Sequence, residues 1–135
     1  MYKQVVELLP RTPVKFHYIF NLRDLSRVYE GLTRATVDKF ENKEQFIRLW
    51  RNECMRVFCD RLLSEEDREV VSNKVLANII KSAFDEHAEY VLQEPIIFGD
   101  FMKANPGDET HIDPKLYEDC GDFKNVREKF DFLLQ

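Results

Sequence analysis

Apolar residues recur every three or four positions along most of the chain, which is the spacing expected of amphipathic helices. The first stripe predicts a helix that stops at Pro10, and Pro13 lengthens the break into an extended connector. A second helix is predicted over residues 22–32, with Gly31 placed to end it. The positions assigned to the buried faces of these two helices are Tyr2, Val5, Val6 and Leu9, then Leu22, Leu25, Val28, Tyr29 and Leu32.

The longest apolar stripe predicts a helix that begins at Asn42, with Gln45 at the capping-box position. Its buried face is predicted to consist of Phe46, Leu49, Trp50, Val57, Phe58 and Leu62. Trp50 lies on the best-formed part of this stripe, so we expect it at the centre of the core. The opposite face pairs Glu53 with Arg56 at helical spacing, a pattern typical of a solvated helix surface.

The remaining pattern predicts a helix capped by Ser64, a short helix to about Gln93, an extended segment over residues 96–98, a loop over 105–109 and a final helix. The apolar positions of the first and last of these are Val71, Val75, Ile79, Ile80, Ala83 and Phe84, then Phe123, Val126, Phe130, Leu133 and Leu134. The sequence therefore predicts an all-α helical bundle, with residues 1–135 as one domain. The first helix has no cap before it and the last reaches Gln135 without a C-terminal cap, so we expect both to be cut from a longer chain.

One helix start has an unusual charge. Asn21 is a good N-cap, and Asp24 in the first turn completes a capping box and complements the helix dipole. Arg23 opposes that dipole, and Arg27, four residues on, repels it. Two interpretations remain open. Arg23 is either an arginine that is solvated or paired with a carboxylate distant in sequence, or a residue held out to meet an anion such as phosphate.

Several motifs resemble a known family. The string Asn21-Leu22-Arg23-Asp24-Leu25 resembles the sensor-2 motif of AAA+ ATPases. Three longer blocks are similar to the lid of the third AAA+ module of dynein heavy chains: residues 9–28, residues 49–62 (LWRNECMRVFCDRL) and residues 95–101 (PIIFGDF). Asn52 stands where many members have His, which narrows the resemblance towards axonemal branches. The resemblance covers nearly the whole chain.

The resemblance implies an AAA+ lid, or small subdomain, of a microtubule-based motor. In such a module Arg23 reaches the phosphates of ATP or ADP, with Mg²⁺, bound by the large subdomain of the same module. Closure of the lid on nucleotide is passed to neighbouring AAA+ modules. The implied partners are therefore those subdomains in cis and, through other parts of the full chain, dynein subunits and the microtubule. The implied location is the cytoplasm and cytoskeleton, in the axoneme of a cilium or flagellum.

Composition limits the other function classes. The net charge of −5 argues against nucleic acid or an anionic membrane as a partner. The sequence contains no run of about eighteen apolar residues, no signal peptide and no lipidation motif, so a membrane partner is not expected. The odd number of cysteines, three, favours free thiols at Cys54, Cys59 and Cys120.

The sequence offers no catalytic constellation. It has no G-x-x-x-x-G-K-[ST] loop, so the chain is not expected to be an ATPase by itself. The histidines His17, His87 and His111 are scattered, and we expect no metal site. Tyr18 and Phe20 are expected to pack in the core rather than against an adenine ring. The alternative functions are a self-contained helical module that binds a partner helix in an apolar groove, and the lid of a bacterial enhancer-binding AAA+ activator, which shares only the short sensor motif.

Overall fold

A computed structural model describes residues 1–36, 40–102, 104 and 117–134, and it confirms the all-α fold class. Its α-helices are α1 (Tyr2–Leu8), α2 (Leu22–Leu32), α3 (Lys43–Cys54), α4 (Glu65–Glu69), α5 (Asn78–Ala83), α6 (Ala88–Val91) and α7 (Phe123–Leu133). A π-helical segment, Met55–Cys59, continues α3, and a second, Val70–Ala77, joins α4 to α5. The helices predicted from Asn42 and Ser64 are thus both present, each with a π-helical stretch.

Described residues 95–102, after α6, contain no helix, and the predicted extended segment over residues 96–98 ends in a short strand. A 3-10 turn, Asp85–His87, precedes α6, and the Glu94–Pro95 peptide bond that follows is cis. Two short strands, β1 (Phe98–Gly99) and β2 (Glu118–Asp119), pair antiparallel with Phe98 opposite Asp119. The predicted loop over residues 105–109 and His111 lie outside the described residues.

The core consists of two clusters. The larger joins α1, the connector, α2 and both π-helical segments, and its members include Val5, Leu9, Tyr18, Phe20, Val28, Val57, Phe58, Leu62, Val71, Val75 and Leu76. The smaller contains Ile80, Ala88 and Val91. Trp50 is only partly buried and packs against both clusters, so the expectation that it occupies the core centre is wrong. It lies at the boundary because α3 runs past one cluster and towards the other.

The buried face of α2 differs from the predicted one. Leu22 and Tyr29 are 69% and 60% exposed, whereas the buried positions are Asp24, Val28 and Gly31. Gly31 does not end the helix, which continues to Leu32. Packing of α2 against α3 determines which side of α2 is buried. Gly31 lies at this contact, where an added Cβ would be 1.9 Å from Oε2 of Glu53. The helix is therefore rotated by about one residue from the orientation that apolar spacing alone predicts.

The ends of α3 and α5 also depart from the expected burial. Phe46 and Phe84 are 43% and 38% exposed, and Ala83 is exposed as well. They lie in terminal turns that extend beyond the two core clusters. Asn42 occupies the N-cap position of α3, but its side chain accepts no capping hydrogen bond, so the predicted capping box with Gln45 is wrong.

The polar face of α3 is buried rather than solvated. Glu53 is completely buried, and Nη2 of Arg56 approaches its carboxylate at 2.7 Å. Arg48 is 4% exposed and donates to the carbonyl oxygens of Gln93 and Pro95, each at 2.8 Å. Its Nε also donates to Asp119 at 3.0 Å. The expectation of a solvated surface is therefore wrong for Glu53, whereas its partner Arg56 is exposed. Arg48 binds the end of α6, the residues that follow it and β2 to α3.

The C-terminal helix lies on the surface. Asp122 caps α7 by accepting a hydrogen bond from the backbone N–H of Asn125 at 2.9 Å. None of its residues is buried, and Phe123 is 71% exposed. Phe130 stacks on Phe101 with ring centroids 5.1 Å apart, which connects the helix to the extended segment. In the described ranges, no helix has the length and apolar character needed to cross a membrane.

Candidate functional site

The start of α2 is fixed by the predicted capping box. Oδ1 of Asn21 accepts hydrogen bonds from the backbone N–H groups of Arg23, at 2.9 Å, and Asp24, at 3.3 Å. In return, the Asp24 carboxylate accepts from the backbone N–H of Asn21 at 2.9 Å. These three bonds satisfy orphan donors of the first turn and fix the backbone from which the Arg23 side chain projects.

The Arg23 guanidinium is exposed to solvent. Among the described residues it makes no side-chain hydrogen bond or ion pair, and so no distant carboxylate in the described ranges neutralises it. Arg27, one turn later, does have a local acidic neighbour, because its Nη1 lies 4.0 Å from Oδ1 of Asp24. The structure thus places an uncompensated cation in the first turn of a helix whose dipole disfavours it.

A second arginine supports the same helix start from the end of the α3 segment. Nη2 of Arg61 lies 2.6 Å from Oδ1 of Asp24, whose side chain is only 5% exposed. Nη1 of Arg61 donates to the carbonyl oxygen of Ile19 at 3.2 Å, and the guanidinium lies over the Phe20 ring at 5.0 Å. Arg61 therefore contacts residues on both sides of the N-cap.

The connector before α2 is tied to α4 by a buried polar cluster. The Tyr18 hydroxyl donates to Oδ2 of Asp67 at 2.8 Å and accepts from the backbone N–H of Leu63 at 2.8 Å. Nζ of Lys15 lies 2.5 Å from the same carboxylate oxygen. Burial raises the pKa of Asp67, but the hydrogen bonds from Lys15, Tyr18 and Ser64 outweigh it, so the net pKa is lowered.

Large apolar side chains are exposed around this helix start. Val14, Phe16, Ile19 and Leu22 are 79%, 62%, 50% and 69% exposed. Exposed apolar residues in such density indicate a surface that contacts another protein segment. The intervening aromatic residues Tyr18 and Phe20 are buried in the core, which confirms that they pack internally.

The histidines and cysteines considered above do not form a metal site or a reactive thiol among the described residues. Across the described part of the chain, no group of three or more His, Cys, Asp and Glu residues is placed to bind a metal ion. The His17 ring contacts the rings of Phe16 and Tyr18, and His87 lies 3.4 Å from a Glu44 oxygen. Cys54, Cys59 and Cys120 are free and buried, as predicted. Burial raises the pKa of the Cys59 thiol to about 12, which makes it unreactive at neutral pH.

Two cavities lie away from Arg23. A groove of about 900 Å³ runs between the first turn of α3 and the last turn of α5, with Phe46, Ile47 and Phe84 in its lining. A cavity of about 230 Å³ is lined by Arg27, Glu30, Gly31, Arg34 and Arg56. Arg23 lines neither of them.

Sequence reasoning missed the role of Arg61. The residue lies in the block LWRNECMRVFCDRL, but nothing local pairs it with Asp24, which is 37 positions earlier. A buried capping carboxylate requires a cationic partner, but the burial of Asp24 is visible only in the structure, so the sequence held no signal for Arg61. The burial of Arg48 and Arg51 was also missed, because the backbone carbonyl groups that accept their hydrogen bonds are distant in sequence.

Comparison with known proteins agrees with the motifs. Residues 1–94 match the AAA+ lid domain family. Over 99% of its length the chain is 43% identical to the dynein-1-alpha heavy chain of the flagellar inner arm I1 complex from Chlamydomonas reinhardtii. It is 44% identical over 100% of its length to human dynein axonemal heavy chain 10, and 40% identical over 90% to human dynein axonemal heavy chain 2.

The chain spans about 3% of the length of each of these relatives. The resemblance to axonemal dynein heavy chains is thereby confirmed, whereas the assignment to the third module stays a prediction. The family match covers α1 to α6, including the capped helix start with Arg23 and the Arg61 contacts. The chain belongs to the AAA+ lid domain family.

Proposed function

We propose that this chain is the lid subdomain of the third AAA+ module of an axonemal dynein heavy chain. Its similarity to axonemal heavy chains over nearly its whole length supports this assignment. In this proposal the chain is not an enzyme alone. It contributes Arg23 to ATP or ADP, with Mg²⁺, bound by the large subdomain of the same module. The family match ends at residue 94, and in this proposal the residues beyond it belong to the same domain. The contacts of Arg48 with Pro95 and Asp119 support that extension.

The observation that supports a nucleotide role is the state of Arg23. Its backbone is fixed by the Asn21 cap, while its guanidinium is exposed and has no partner among the described residues. A guanidinium can donate two parallel hydrogen bonds to phosphate oxygens. An arginine presented in this way gains its full interaction energy only when an anion arrives, which is what a nucleotide sensor requires.

The apolar residues near Arg23 support a protein partner beside the nucleotide. Val14, Phe16, Ile19 and Leu22 precede or begin α2, and all are at least half exposed. Contact with the large subdomain would cover them and bring Arg23 to the phosphates. The lid would then make different contacts in the nucleotide-bound and nucleotide-free states. Because of that difference, its closure can be transmitted to neighbouring modules and to the microtubule-bound parts of the motor. The corresponding location is the axoneme, within the cytoskeleton of a cilium or flagellum.

The test is Arg23→Ala in the full heavy chain, with the phosphate-loop lysines of the other modules replaced so that one site is observed. We expect the dissociation constant for Mg-ATP to rise roughly 10- to 150-fold, since one charge-assisted contact contributes about 1.5–3 kcal/mol. Arg23→Lys should restore part of the affinity, because an ammonium group retains the positive charge but cannot donate two parallel hydrogen bonds to phosphate.

The matched control is Arg27→Ala, which removes an exposed arginine from the same helix one turn later. It should change Mg-ATP affinity by less than about twofold. In the isolated chain, Arg23→Ala should alter stability by only a few tenths of a kcal/mol, because it removes an unfavourable dipole interaction. Strong destabilisation of the isolated chain with unchanged ATP affinity in the motor would show that Arg23 is structural.

A further inference from the structure

Arg61 makes an unusual set of contacts for a residue in a turn. Its guanidinium reaches the Asp24 carboxylate at 2.6 Å, the Ile19 carbonyl oxygen at 3.2 Å and the face of Phe20 at 5.0 Å. Within its own segment, Nη2 and Nε donate to the Val57 carbonyl oxygen at 3.3 and 3.4 Å. Among the described residues, the other hydrogen bonds, ion pairs and ring contacts of Arg61 are thus made with residues 19–24, which bracket Arg23.

We propose that Arg61 is a positioning residue for Arg23, an inference that rests on the proposed nucleotide role of Arg23. The connection runs through hydrogen bonds. Arg61 holds the Asp24 carboxylate, Asp24 accepts from the backbone N–H of Asn21, and the Asn21 side chain accepts from the backbone N–H of Arg23. Arg61 touches no nucleotide in this arrangement. It sets the direction in which the first turn of α2 presents the Arg23 side chain.

The electrostatics make Arg61 difficult to replace. The Asp24 side chain is 5% exposed, and its other cation, Arg27, is 4.0 Å away on a side chain that is 59% exposed. Without Arg61 the carboxylate would be buried with one distant, solvated partner, a state that favours its movement towards water. Such a movement would remove the acceptor for the Asn21 N–H and loosen the N-cap.

The guanidinium also links the helix start to the π-helical segment Met55–Cys59. Val57 lies within that segment, and its carbonyl oxygen accepts hydrogen bonds from Nε and Nη2 of Arg61. Phe58 packs on Phe20 with ring centroids 5.8 Å apart, next to the Arg61 cation–π contact. The π-helical segment and the turn after it are therefore joined to the start of α2 by the Arg61 contacts with Asp24 and Ile19 and by the contacts of Phe58 and Arg61 with the Phe20 ring. A change at the end of α3 would reach Arg23 through Arg61.

A double-mutant cycle in the full heavy chain tests this role, with Mg-ATP as the probe and the other modules' phosphate-loop lysines replaced. Arg61→Gln should raise the dissociation constant roughly 3- to 30-fold when Arg23 is present, which lies within the range for residues coupled through one hydrogen-bond network. In an Arg23→Ala background the same change should have almost no effect, because there is no longer a guanidinium to position. Arg61→Lys should give an intermediate loss and replaces Arg61→Gln in the cycle if that variant does not fold.

Arg56→Gln is the control for a general loss of stability. Arg56 lies on the same helical segment and pairs with the buried Glu53, but it contacts none of residues 19–24 in the described structure. It should lower the thermal midpoint without changing Mg-ATP affinity. The inference is overturned if Arg61→Gln weakens ATP binding equally with and without Arg23, or if Arg56→Gln has the same effect. If Arg23→Ala itself leaves the Mg-ATP affinity unchanged, the proposed function is wrong. That outcome can be told apart from a failure of the Arg61 inference, because it is seen without any Arg61 variant.

Discussion

Gly31 shows how one residue sets the orientation of a helix. It is buried in α2, and a Cβ built on it would lie 1.9 Å from Oε2 and 2.8 Å from Cγ of Glu53. Glu53 cannot move aside easily, because it is completely buried and accepts two hydrogen bonds from Arg56, at 2.7 and 3.1 Å. Glycine is therefore required by the contact between α2 and α3, although it disfavours the helix itself.

We predict that Gly31→Ala destabilises the chain. Alanine improves helix propensity by about 0.8–1.0 kcal/mol. The forced displacement of a buried, hydrogen-bonded carboxylate should cost more, because overpacking typically costs about 1–3 kcal/mol and lost hydrogen bonds to a charged group about 1.5–3 kcal/mol. Urea unfolding followed by circular dichroism measures the difference.

The control for this prediction is Gly31→Ala in a Glu53→Ala background. There the added methyl group meets no carboxylate, so only the gain in helix propensity remains and the sign should reverse to a stabilisation of about 0.5–1 kcal/mol. An equal loss of stability in both backgrounds would mean that Gly31 is needed for some reason other than its contact with Glu53.

The residues of the candidate site divide by the range of their interactions. The Asn21 and Asp24 capping box could be predicted, because its bonds span three residues and depend on local backbone geometry alone. The same local pattern left open whether Arg23 is solvated, paired with a distant carboxylate or held out to meet an anion. Arg61 could not be assigned, because its partner lies on another helix and only tertiary packing brings the two together.

At the scale of elements, apolar periodicity predicted where the helices lie but not how they are rotated. The helix that begins after Ser64 was predicted from its cap and its apolar stripe, and the Ser64 side chain accepts from the backbone N–H of Asp67 at 3.2 Å. The rotation of α2 was missed because a buried carboxylate, rather than an apolar stripe, determines which side of it faces α3. The short strand pair was missed because two-residue strands leave no periodic signal.

The connector and α4 are joined by ionised groups, so their contact should depend on pH. The pKa of Asp67 is lowered from its ordinary value of 3.8, because the hydrogen bonds from Lys15, Tyr18 and Ser64 outweigh the effect of burial. A carboxyl group with a lowered pKa stabilises the fold fully above its unfolded pKa, and this contribution is lost as the pH falls through the folded value. The loss should therefore begin near pH 4 and continue below it.

We predict that Asp67→Asn lowers the urea midpoint at about pH 6 and that its difference from the unmodified chain shrinks towards about pH 3. The asparagine retains an oxygen that can accept from Tyr18 but loses the charge that pairs with Lys15. Asp60→Asn is the matched control, since Asp60 is exposed and no ion pair involves it among the described residues. A pH-independent difference for Asp67→Asn would contradict the assigned pKa direction.

At the scale of the whole molecule, the described residues pack as a folded unit, and in the proposed function they supply only part of a nucleotide site. Its two core clusters are continuous through Trp50, and Arg48 attaches the segment beyond residue 94. Among the described residues, the groups that would contact a nucleotide are Arg23 and the exposed apolar residues near it. The sequence has no phosphate-binding loop, and in the proposed function the large subdomain supplies the remaining contacts.

The isolated chain should therefore fold and fail to bind Mg-ATP with submillimolar affinity. A dissociation constant of 1 mM corresponds to about 4.1 kcal/mol, whereas a single charge-assisted contact supplies only about 1.5–3 kcal/mol. Calorimetric titration measures the affinity, once circular dichroism has shown a helical spectrum and cooperative unfolding. The full heavy chain, titrated under the same conditions, provides the positive control. A micromolar isotherm from the isolated chain would mean that these 135 residues contain a complete nucleotide site, and the assignment of Arg23 as one contributor to a site built elsewhere would be wrong.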